Sequence, residues 1–317
     1  MQNYKDLVIK ILNEGIDKTS DVRTRYEDGT VAGYRSIDGE MLKFKMADGF
    51  PLSTLSKKSY WLIITELLWF TRGCTDLKKL TDCSNEIWTK NGWDHHNKQF
   101  GEIKLKDFRQ LLESRNFDMG PIYGKQWRNF GGVDQLKQCI EKLKTNPNDR
   151  RMLVSAWNPP EIPDMALPPC HIMFQFFSYP LKRSEKIKLL HEMGHNYNSD
   201  QDFIHLRVPQ RRLSMTMYQR SVDVLLGLPF NIASYASLLH MVAKITNHVP
   251  DTLTTFLGDC HLYDRHIEQA EELVKRDPKP LPKLFLRERL SIDKFVPGDF
   301  NIVGYDPHPA IKSEMAI

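Results

Sequence analysis

The stretch YQRSVDVLLGLPFNIASYA, residues 218 to 236, joins the end of a strand-like run to the start of a helix. The alternation in LSMTMYQ predicts a strand, and FNIASYASLLHMVAKIT, beginning near Phe230, has the composition of a buried helix. Four polar residues interrupt the apolar run between them: Gln219, Arg220, Ser221 and Asp223. Buried polar groups need partners. Either a ligand or an internal hydrogen-bond network could supply them.

Outward from this stretch, strands and helices follow one another in both directions. Strand-like runs are MLVSAW, HIMFQFF and KLFLRE. Helices are predicted from about Tyr4 to a cap at Gly15, from Tyr60 to Arg72, near 105–114, from Val133 to Thr145, and after an Asp264 N-cap. The helix at Tyr60–Arg72 is apolar nearly all round except for Glu66, so it should be buried. The chain is therefore predicted to be one α+β domain, residues 1–317, whose sheet packs against helices.

Composition limits the function classes. Of 317 residues, 41% are hydrophobic and 26% charged, and the net charge of +4 is too small to indicate nucleic-acid binding. No run approaches the roughly 18 apolar residues of a membrane span, and the first residues lack the apolar core of a signal peptide. Five widely spaced cysteines are typical of reduced thiols. We expect a cytoplasmic protein (in a host's cytoplasm if a virus encodes it) that needs no membrane or nucleic acid.

The sequence HEMGH, residues 191–195, has the pattern of a zinc peptidase. On a helix His191 and His195 would share one face, with Glu192 as general base. Gly194 weakens a helix, however, and no third ligand follows in the usual place. We interpret the segment as a surface loop insertion without metal, and the peptidase as a remote alternative.

Two other stretches are better candidates for chemistry. In ALPPCH two prolines fix the backbone before Cys170, which suits a nucleophilic thiol, although a buried cysteine at a strand start would look the same. In NDRRML the adjacent Arg150 and Arg151 suit a phosphate or a solvated surface pair.

In combination these stretches resemble thymidylate synthases. The shared segments, over roughly 45–72 and 118–317, are DGFPLST, ELLWF, GPIYGKQWR, DRRMLVSAWNP, ALPPCH, YQRS-VD, LGLPFNIASYA, GDCHLY, PLPKL, GYDPHP and the terminal MAI. The resemblance implies an α+β homodimer with a large mixed sheet, one face of which forms the dimer interface. It also makes 94–117 and 179–210 variable insertions within the single domain.

The resemblance implies reductive methylation of dUMP to dTMP, with 5,10-methylenetetrahydrofolate as co-substrate and no metal. Cys170 would attack carbon 6 of the uracil, Glu66 would organise proton transfers through water, and Tyr123 would assist proton loss from carbon 5. The phosphate would be bound by Arg23, Arg220, Ser221 and, from the second subunit, Arg150 and Arg151. These cations would favour the Cys170 thiolate.

For the rest of the substrates, the resemblance assigns the following residues. Asn231 would read the uracil, Gln219 and His171 would support the site, and His261 and Tyr263 would bind the sugar hydroxyl. Asp223 would bind the pterin, Trp88 would pack against it, and the Ile317 carboxylate would close over the folate. Asp223, Arg220 and Asn231 count among both the catalytic and the dUMP-binding candidates, and Gln219 counts among the dUMP-binding candidates.

The chain departs from the family pattern in three places. The glycine-rich loop after Arg23 reads RTRYEDGT, Ser56 stands where a lysine is expected (Lys57 and Lys58 are adjacent), and IWTKNGW replaces IWDEW. A dUMP hydroxymethylase, or less favourably a dCMP hydroxymethylase, remains the closest alternative, because the same methylene intermediate could be trapped by water. Trp88, which would shield that intermediate, favours reduction.

Overall fold

A computed structural model describes residues 1–20, 22, 24–26 and 28–314. Its helices are α1 Gln2–Glu14, α2 Tyr60–Thr71, α3 Leu77–Thr81, α4 Thr89–Phe100, α5 Leu105–Ser114, α6 Tyr123–Arg128, α7 Gln135–Thr145, α8 Arg183–Glu192, α9 Gln201–His205, α10 Gly227–Ile245 and α11 Ile267–Val274. Its strands are β1 Ile16–Asp17, β2 Tyr34–Lys45, β3 Leu153–Ser155, β4 His171–Pro180, β5 Arg211–Asp223, β6 His248–Tyr263, β7 Lys283–Leu286 and β8 Phe300–Val303.

The main sheet is mixed and has the strand order β1-β2-β6-β5-β4-β3. β5 and β6 run parallel, and the other neighbouring pairs are antiparallel. A parallel connection requires a crossover, which α10 supplies between these two strands. β7 and β8 form a separate two-stranded sheet. The prediction of an α+β fold with a sheet packed against helices is confirmed.

One face of the main sheet is covered by helices. Leu213, Met215 and Met217 of β5 are fully buried on that face, together with Phe174 and Phe176 of β4. α2 and α10 supply much of the opposing apolar surface, and both belong to the same large core cluster as these strands. The alternation of β5 therefore places Gln219 on the helix side and Arg220 on the other, with Asp223 at the strand's end.

Several sequence predictions were wrong in detail. β6, the longest strand, was not predicted, because Pro250 and Asp251 interrupt its alternation. Residues 73–118 contain α3 and α4 in addition to the predicted helix near 105–114, and His95 and His96 of α4 are buried. Asp264 does not cap α11: a short 3₁₀ turn occupies 264–266, and the N-cap is His266.

The 179–210 segment is not a loop. It contains α8 and α9, which enclose a small core of its own around Leu190, Phe203 and Val208. α8 is joined to the start of β5 by an ion pair of 2.5 Å between Glu185 and Arg212. The interpretation as a surface loop is therefore wrong, because two helices in this segment bury apolar side chains in a core of their own.

Candidate active site

Cys170 lies where β4 begins, beside the end of β5. The backbone N–H of Arg220 donates to the Cys170 carbonyl at 2.8 Å, and the β4–β5 register shifts between His171 and Met173. In the parallel pairing, Ser221 lies opposite Asp259 and Asp223 opposite His261. Three strands thus bring most of the candidate residues of the second half of the chain to one end of the sheet.

Tyr123, the first residue of α6, contacts Cys170 directly. Its hydroxyl accepts the Cys170 N–H at 2.7 Å, and its ring lies 4.1 Å from that of His171 in a stacked arrangement. Burial and the nearby Cys170 raise the pKa of Tyr123 well above its usual value. Tyr123 is therefore a neutral hydroxyl held against the candidate nucleophile.

The Arg220 side chain reinforces the rigid approach to Cys170. Its Nε donates to the Pro169 carbonyl at 2.8 Å and its Nη2 to that of Pro168 at 3.1 Å, while the guanidinium lies 5.5 Å from the Trp157 ring centroid. These bonds fix the prolines that precede Cys170. The expectation that ALPPCH presents a thiol rigidly therefore has a physical basis in this contact.

The thiol itself is held mainly in its neutral form. Burial raises the pKa of Cys170, and this outweighs Arg220 and a hydrogen bond from Ser221, which lower it. The expected net preference for the thiolate is thus not found in the single chain. Of the four expected cations, Arg220 is the one that acts on the thiol within the described part of the chain, and one cation does not offset burial.

Glu66 projects from the apolar helix α2 toward Trp88. The Trp88 indole N–H donates to Glu66 Oε1 at 2.7 Å. Burial nevertheless dominates and raises the pKa of Glu66 to about 7. A carboxyl that titrates near neutrality can both accept and return a proton, as a general acid–base requires. Among the described contacts, the hydrogen-bond partner of the Glu66 side chain is an indole and not a cation.

Trp88 and His171 are both part of the core. Trp88 is 5% exposed and packs edge-on against Trp69, Phe70 and Tyr123. His171 Nδ1 lies 2.8 Å from the Tyr235 hydroxyl, and burial lowers the pKa of His171 to about 3. His171 is therefore neutral at working pH and holds the ring of Tyr123 in place.

Gln219 and Asn231 form a pair between β5 and α10. The Gln219 side-chain amide donates to Asn231 Oδ1 at 3.1 Å and to the Ser221 carbonyl at 3.0 Å. This fixes the Asn231 amide with its NH₂ group directed away from Gln219. Asp223 Oδ1 accepts the N–H groups of Leu225 and Leu226 and so shapes the turn into α10.

His261 is oriented by a carboxylate that was not predicted. Its Nδ1 lies 3.1 Å from Asp259 Oδ1, and Lys18 contacts Asp259 Oδ2 at 3.0 Å. Burial raises the pKa of Asp259, but the bonds from His261 and Lys18 outweigh it and the net pKa is lowered. The ionised carboxylate keeps a proton on Nδ1, so that Nε2 can accept a hydrogen bond. The alternation of β6 could have indicated Asp259, two residues before His261.

Some candidates do not join this group. Arg150 and Arg151 are exposed, and the Arg150 carbonyl is bound by Gln175, five residues along β4 from Cys170. At about 3.3 Å per residue this is about 17 Å away. Arg23 and Ile317 lie outside the described residues.

Ser56, which stands where the family pattern has a lysine, is buried, and its Oγ accepts the Ile311 N–H at 3.0 Å. Lys57 is exposed. Lys58 is 8% exposed, with Nζ 3.4 Å from the Leu225 carbonyl, and burial lowers its pKa.

The HEMGH pattern does not form one helical face. His191 lies in the last turn of α8, and Gly194, with φ of +85°, follows the helix end before His195 is reached. Among the described residues no group of three or more His, Cys, Asp or Glu side chains is arranged to hold a metal ion. Nor is any helix of the described chain long and apolar enough to cross a membrane.

Comparison with known proteins gives one consistent result. Residues 2–317 match the family thymidylate synthase. The chain is 40% identical over 328 residues to "Thymidylate synthase" of Mycoplasma mobile and 38% identical over 325 residues to that of Mycoplasma pneumoniae, with all of each chain covered. It is 37% identical over 327 residues to "Bifunctional dihydrofolate reductase-thymidylate synthase" of Paramecium tetraurelia, covering 99% of this chain and 61% of that protein. The chain therefore belongs to the thymidylate synthase family of methyltransferases.

Proposed function

We propose that this chain converts dUMP to dTMP with 5,10-methylenetetrahydrofolate as the donor of both carbon and hydride, releasing dihydrofolate. The observation that carries the proposal is the junction at Cys170: the Tyr123 hydroxyl accepts its N–H, and Arg220 holds the prolines before it. The names of the relatives support the same reaction.

The first step is covalent. The Cys170 thiolate adds to carbon 6 of the uracil, the carbon 5–carbon 6 double bond opens, and carbon 5 becomes an enolate-like nucleophile. Burial opposes formation of the thiolate in the single chain. The partner's two arginines would supply the positive charge that a single Arg220 does not.

Carbon 5 then attacks the methylene of the folate, forming a carbon–carbon bond as one of the two carbon–nitrogen bonds of that methylene breaks; the second breaks when tetrahydrofolate departs. Loss of the carbon 5 proton and departure of tetrahydrofolate leave an exocyclic methylene. Hydride from that tetrahydrofolate reduces the methylene to methyl, the Cys170–carbon 6 bond breaks, and dTMP and dihydrofolate are released. The folate is oxidised by two electrons and the methylene is reduced by two, so no further reductant is needed.

The protons are assigned to Glu66 and Tyr123. Glu66, with a pKa of about 7, would organise proton transfers through water, and Tyr123 would assist loss of the carbon 5 proton. Tyr123 acts from its position against Cys170 and the stacked His171. Neutral His171 serves as support, because its low pKa prevents it from donating a proton at working pH.

The nucleotide would be recognised by groups whose orientation is already set. Asn231, held by Gln219, would offer its amide to the uracil edge. His261, with its proton held on Nδ1 by Asp259, would accept from the sugar hydroxyl beside Tyr263. Arg220 and Ser221, together with Arg23, would bind the phosphate.

For the folate, Asp223 would bind the pterin and Trp88 would form the wall of its pocket. Both are already engaged, Asp223 with the turn into α10 and Trp88 with Glu66. The Ile317 carboxylate would then close the site against water.

We also propose that the exposed face of the sheet forms a homodimer. Large apolar side chains lie in one row across it: Met41 pairs with Phe256, Phe256 with Tyr218, and Tyr218 with Met173. Met41, Phe256 and Tyr218 are 38–47% exposed in the single chain. A contiguous apolar patch indicates an interface. Dimerisation would bring Arg150 and Arg151 to the partner's phosphate site, which would explain why they are remote from Cys170 in one chain.

In this proposal residues 1–317 act as one domain in the cytoplasm, where the free thiols of all five cysteines are stable. The test is incubation of the purified chain with dUMP and methylenetetrahydrofolate, with dihydrofolate followed by absorbance and the nucleotide identified by mass. Thymidylate appearing in step with dihydrofolate is the expected result. Hydroxymethyl-dUMP with tetrahydrofolate would contradict the reductive step. Cys170→Ala is the control, and it should bind dUMP without turnover.

A further inference from the structure

Arg211 is the first residue of β5, at the end of the sheet where the 179–210 segment is attached. Its Nε donates to Ser178 Oγ at 2.7 Å, and its Nη2 donates to the Ser178 carbonyl at 3.0 Å. Its backbone is paired with Pro180 of β4 on one side and with His248 of β6 on the other. The guanidinium is therefore fixed to the sheet at both its backbone and its side chain.

The Ser178 hydroxyl is itself held in one orientation. Its Oγ lies 2.9 Å from His248 Nε2, while His248 Nδ1 lies 2.8 Å from the Thr246 carbonyl oxygen. Burial lowers the pKa of His248, so the ring is neutral and carries its one proton on Nδ1, facing the carbonyl. Nε2 then accepts the Ser178 proton, and the lone pairs of Ser178 Oγ are left for Arg211.

Arg211 also reaches the loop that follows α7. Its Nη2 donates to Asn148 Oδ1 at 2.5 Å. Two residues further along this loop, the Arg150 carbonyl accepts the Gln175 side-chain amide of β4 at 2.7 Å. The loop is thus joined to the sheet at Asn148 and again at Arg150, directly before and within the arginine pair.

The position of this loop depends on polar contacts. Each of the residues 146–151 is exposed or only half-buried, so apolar packing contributes little to holding them. Lys142 of α7 contacts Asp149 Oδ2 at 3.2 Å and the Arg151 carbonyl at 3.4 Å, which shapes the loop from its own helix. Arg211 acts from a different element, and a contact between separate elements fixes where the loop lies relative to the sheet.

We propose that Arg211 is a positioning residue for phosphate binding. By anchoring Asn148, it holds the loop so that Arg150 and Arg151 reach the phosphate of the nucleotide bound to the second subunit. The inference rests on the proposed function, in which these two arginines complete the partner's site. Since Arg211 itself touches no substrate, its loss should affect the site of the other subunit and not the site of its own.

Mixed dimers allow the two sites to be told apart. One subunit carries Cys170→Ala and keeps its arginines; the other carries Arg150→Ala/Arg151→Ala and keeps its cysteine. The one complete site then combines the cysteine of the second subunit with the arginines of the first. Arg211→Ala is introduced into either the first or the second subunit, and the KM for dUMP and kcat are measured in the dihydrofolate assay after exchange.

We expect an asymmetric result. With Arg211→Ala in the subunit that supplies the arginines, the KM for dUMP should rise by about 10-fold, roughly the loss of one hydrogen bond to a charged group. The value of kcat should stay within about twofold, because saturating dUMP draws the arginines back to its phosphate. With Arg211→Ala in the subunit that supplies Cys170, both constants should stay unchanged. A loss of folding or of dimerisation would lower activity whichever subunit carried the change.

Arg183 provides a matched control. It is an exposed arginine of the 179–210 segment that binds a side-chain oxygen, Asp200 Oδ1 at 3.0 Å, but it does not contact the 146–151 loop. Arg183→Ala in either subunit should leave the KM for dUMP unchanged.

Asn148→Ala tests the same link without altering the sheet, should Arg211→Ala fail to fold. It should raise the KM for dUMP as Arg211→Ala does, again only in the subunit that supplies the arginines. Where both variants fold, the double variant should raise it little further, because the two changes remove one contact.

The outcomes separate this inference from the proposed function. An unchanged KM for dUMP, or an equal rise with the change in either subunit, overturns the inference even if the parental mixture is active. A parental mixture that regains no activity overturns the shared site of the proposed function, and the inference with it.

Discussion

At the scale of single residues, burial of the Glu66 carboxyl makes the stability of the chain depend on pH. Its pKa is raised from an ordinary value near 4.5 to about 7 because it is buried in α2. Between these two values the unfolded chain has lost its proton and the folded chain has kept it. Stability therefore falls as pH rises from about 4.5 to about 7 and is constant above.

Glu66→Gln should remove this penalty while keeping an acceptor for the Trp88 indole. We expect the variant to be more stable than the unmodified chain by about 3 kcal/mol at pH 8, with no gain at pH 4. Turnover should fall by at least about 100-fold, since the carboxyl that we propose as the proton-transfer group is lost. Urea unfolding at the two pH values, together with the dihydrofolate assay, checks this. Equal stabilisation at both pH values would show that the carboxyl is not titrating.

Asn231→Asp tests the proposal that the Asn231 amide recognises the uracil base. The Gln219 amide would still have an oxygen to donate to, but the group facing the base would change from a donor to an acceptor. The ratio of kcat/KM for dUMP over dCMP should fall by at least about 100-fold, because a site with a mispaired buried polar group discriminates strongly. Competition between the two nucleotides measures it. An unchanged preference for dUMP would remove Asn231 from that role.

At the scale of elements, the close contact between β5 and β6 depends on Gly258. A Cβ there would lie 2.8 Å from the Arg220 carbonyl oxygen and 3.1 Å from the Tyr218 hydroxyl. Backbone cannot move aside without shifting the strand that carries Arg220 and Ser221. The glycine in GDCHLY is thus required by strand packing.

Gly258→Ala should destabilise the chain by about 1–3 kcal/mol, as overpacking does. It should also raise the KM for dUMP, because β5 carries Arg220 and Ser221, which we propose as phosphate ligands. Gly298→Ala is the matched control, since a Cβ added at Gly298 would meet nothing within 4 Å. Denaturant melts and dUMP titrations of both variants measure the difference. A Gly258→Ala chain with unaltered dUMP binding would show that β5 does not shift.

The elements also show what the sequence could predict. β4 and β5 alternate cleanly, and α2 and α10 are long and apolar, so their patterns predicted them. β6 was missed because Pro250 and Asp251 break the pattern, and α4 because its polar composition conceals two histidines that tertiary packing buries. Glu66 was found as a lone carboxyl in an apolar helix. Its partner Trp88 and the Asp259–His261 pair depend on contacts that no local pattern reports.

At the scale of the whole molecule, the row of Met41, Phe256 and Tyr218 should be the dimer contact. Phe256→Lys would place a charge in its centre, next to the paired Tyr218. We expect the variant to sediment as a monomer and to lose activity, because Arg150 and Arg151 no longer reach a partner. Phe100→Lys, on an aromatic that is 70% exposed at the end of α4, should change neither property. A dimeric Phe256→Lys chain would place the interface elsewhere.

Sharing of the active site has a direct test. Cys170→Ala and the double variant Arg150→Ala/Arg151→Ala should each be inactive. After random exchange in a one-to-one mixture, half of the dimers contain one subunit of each variant, and each of these twofold dimers has one intact site of its two. About a quarter of the wild-type number of sites should therefore be active. The dihydrofolate assay follows recovery after brief denaturation and refolding. No recovery would contradict the assignment of both arginines to the partner's site.

The position of β6 in the sheet has a consequence for synthesis of the chain. β6 is bonded to β2 on one side and to β5 on the other, so Tyr34 near the start pairs with Tyr263 near the end. During synthesis, the edges of β2 and β5 that pair with β6 remain unpaired until β6 has emerged from the ribosome. Open edges are sites of aggregation, and long-range pairing is slow. We therefore expect the sheet to close only after most of the chain has been translated, and the nascent chain to depend on chaperones until then.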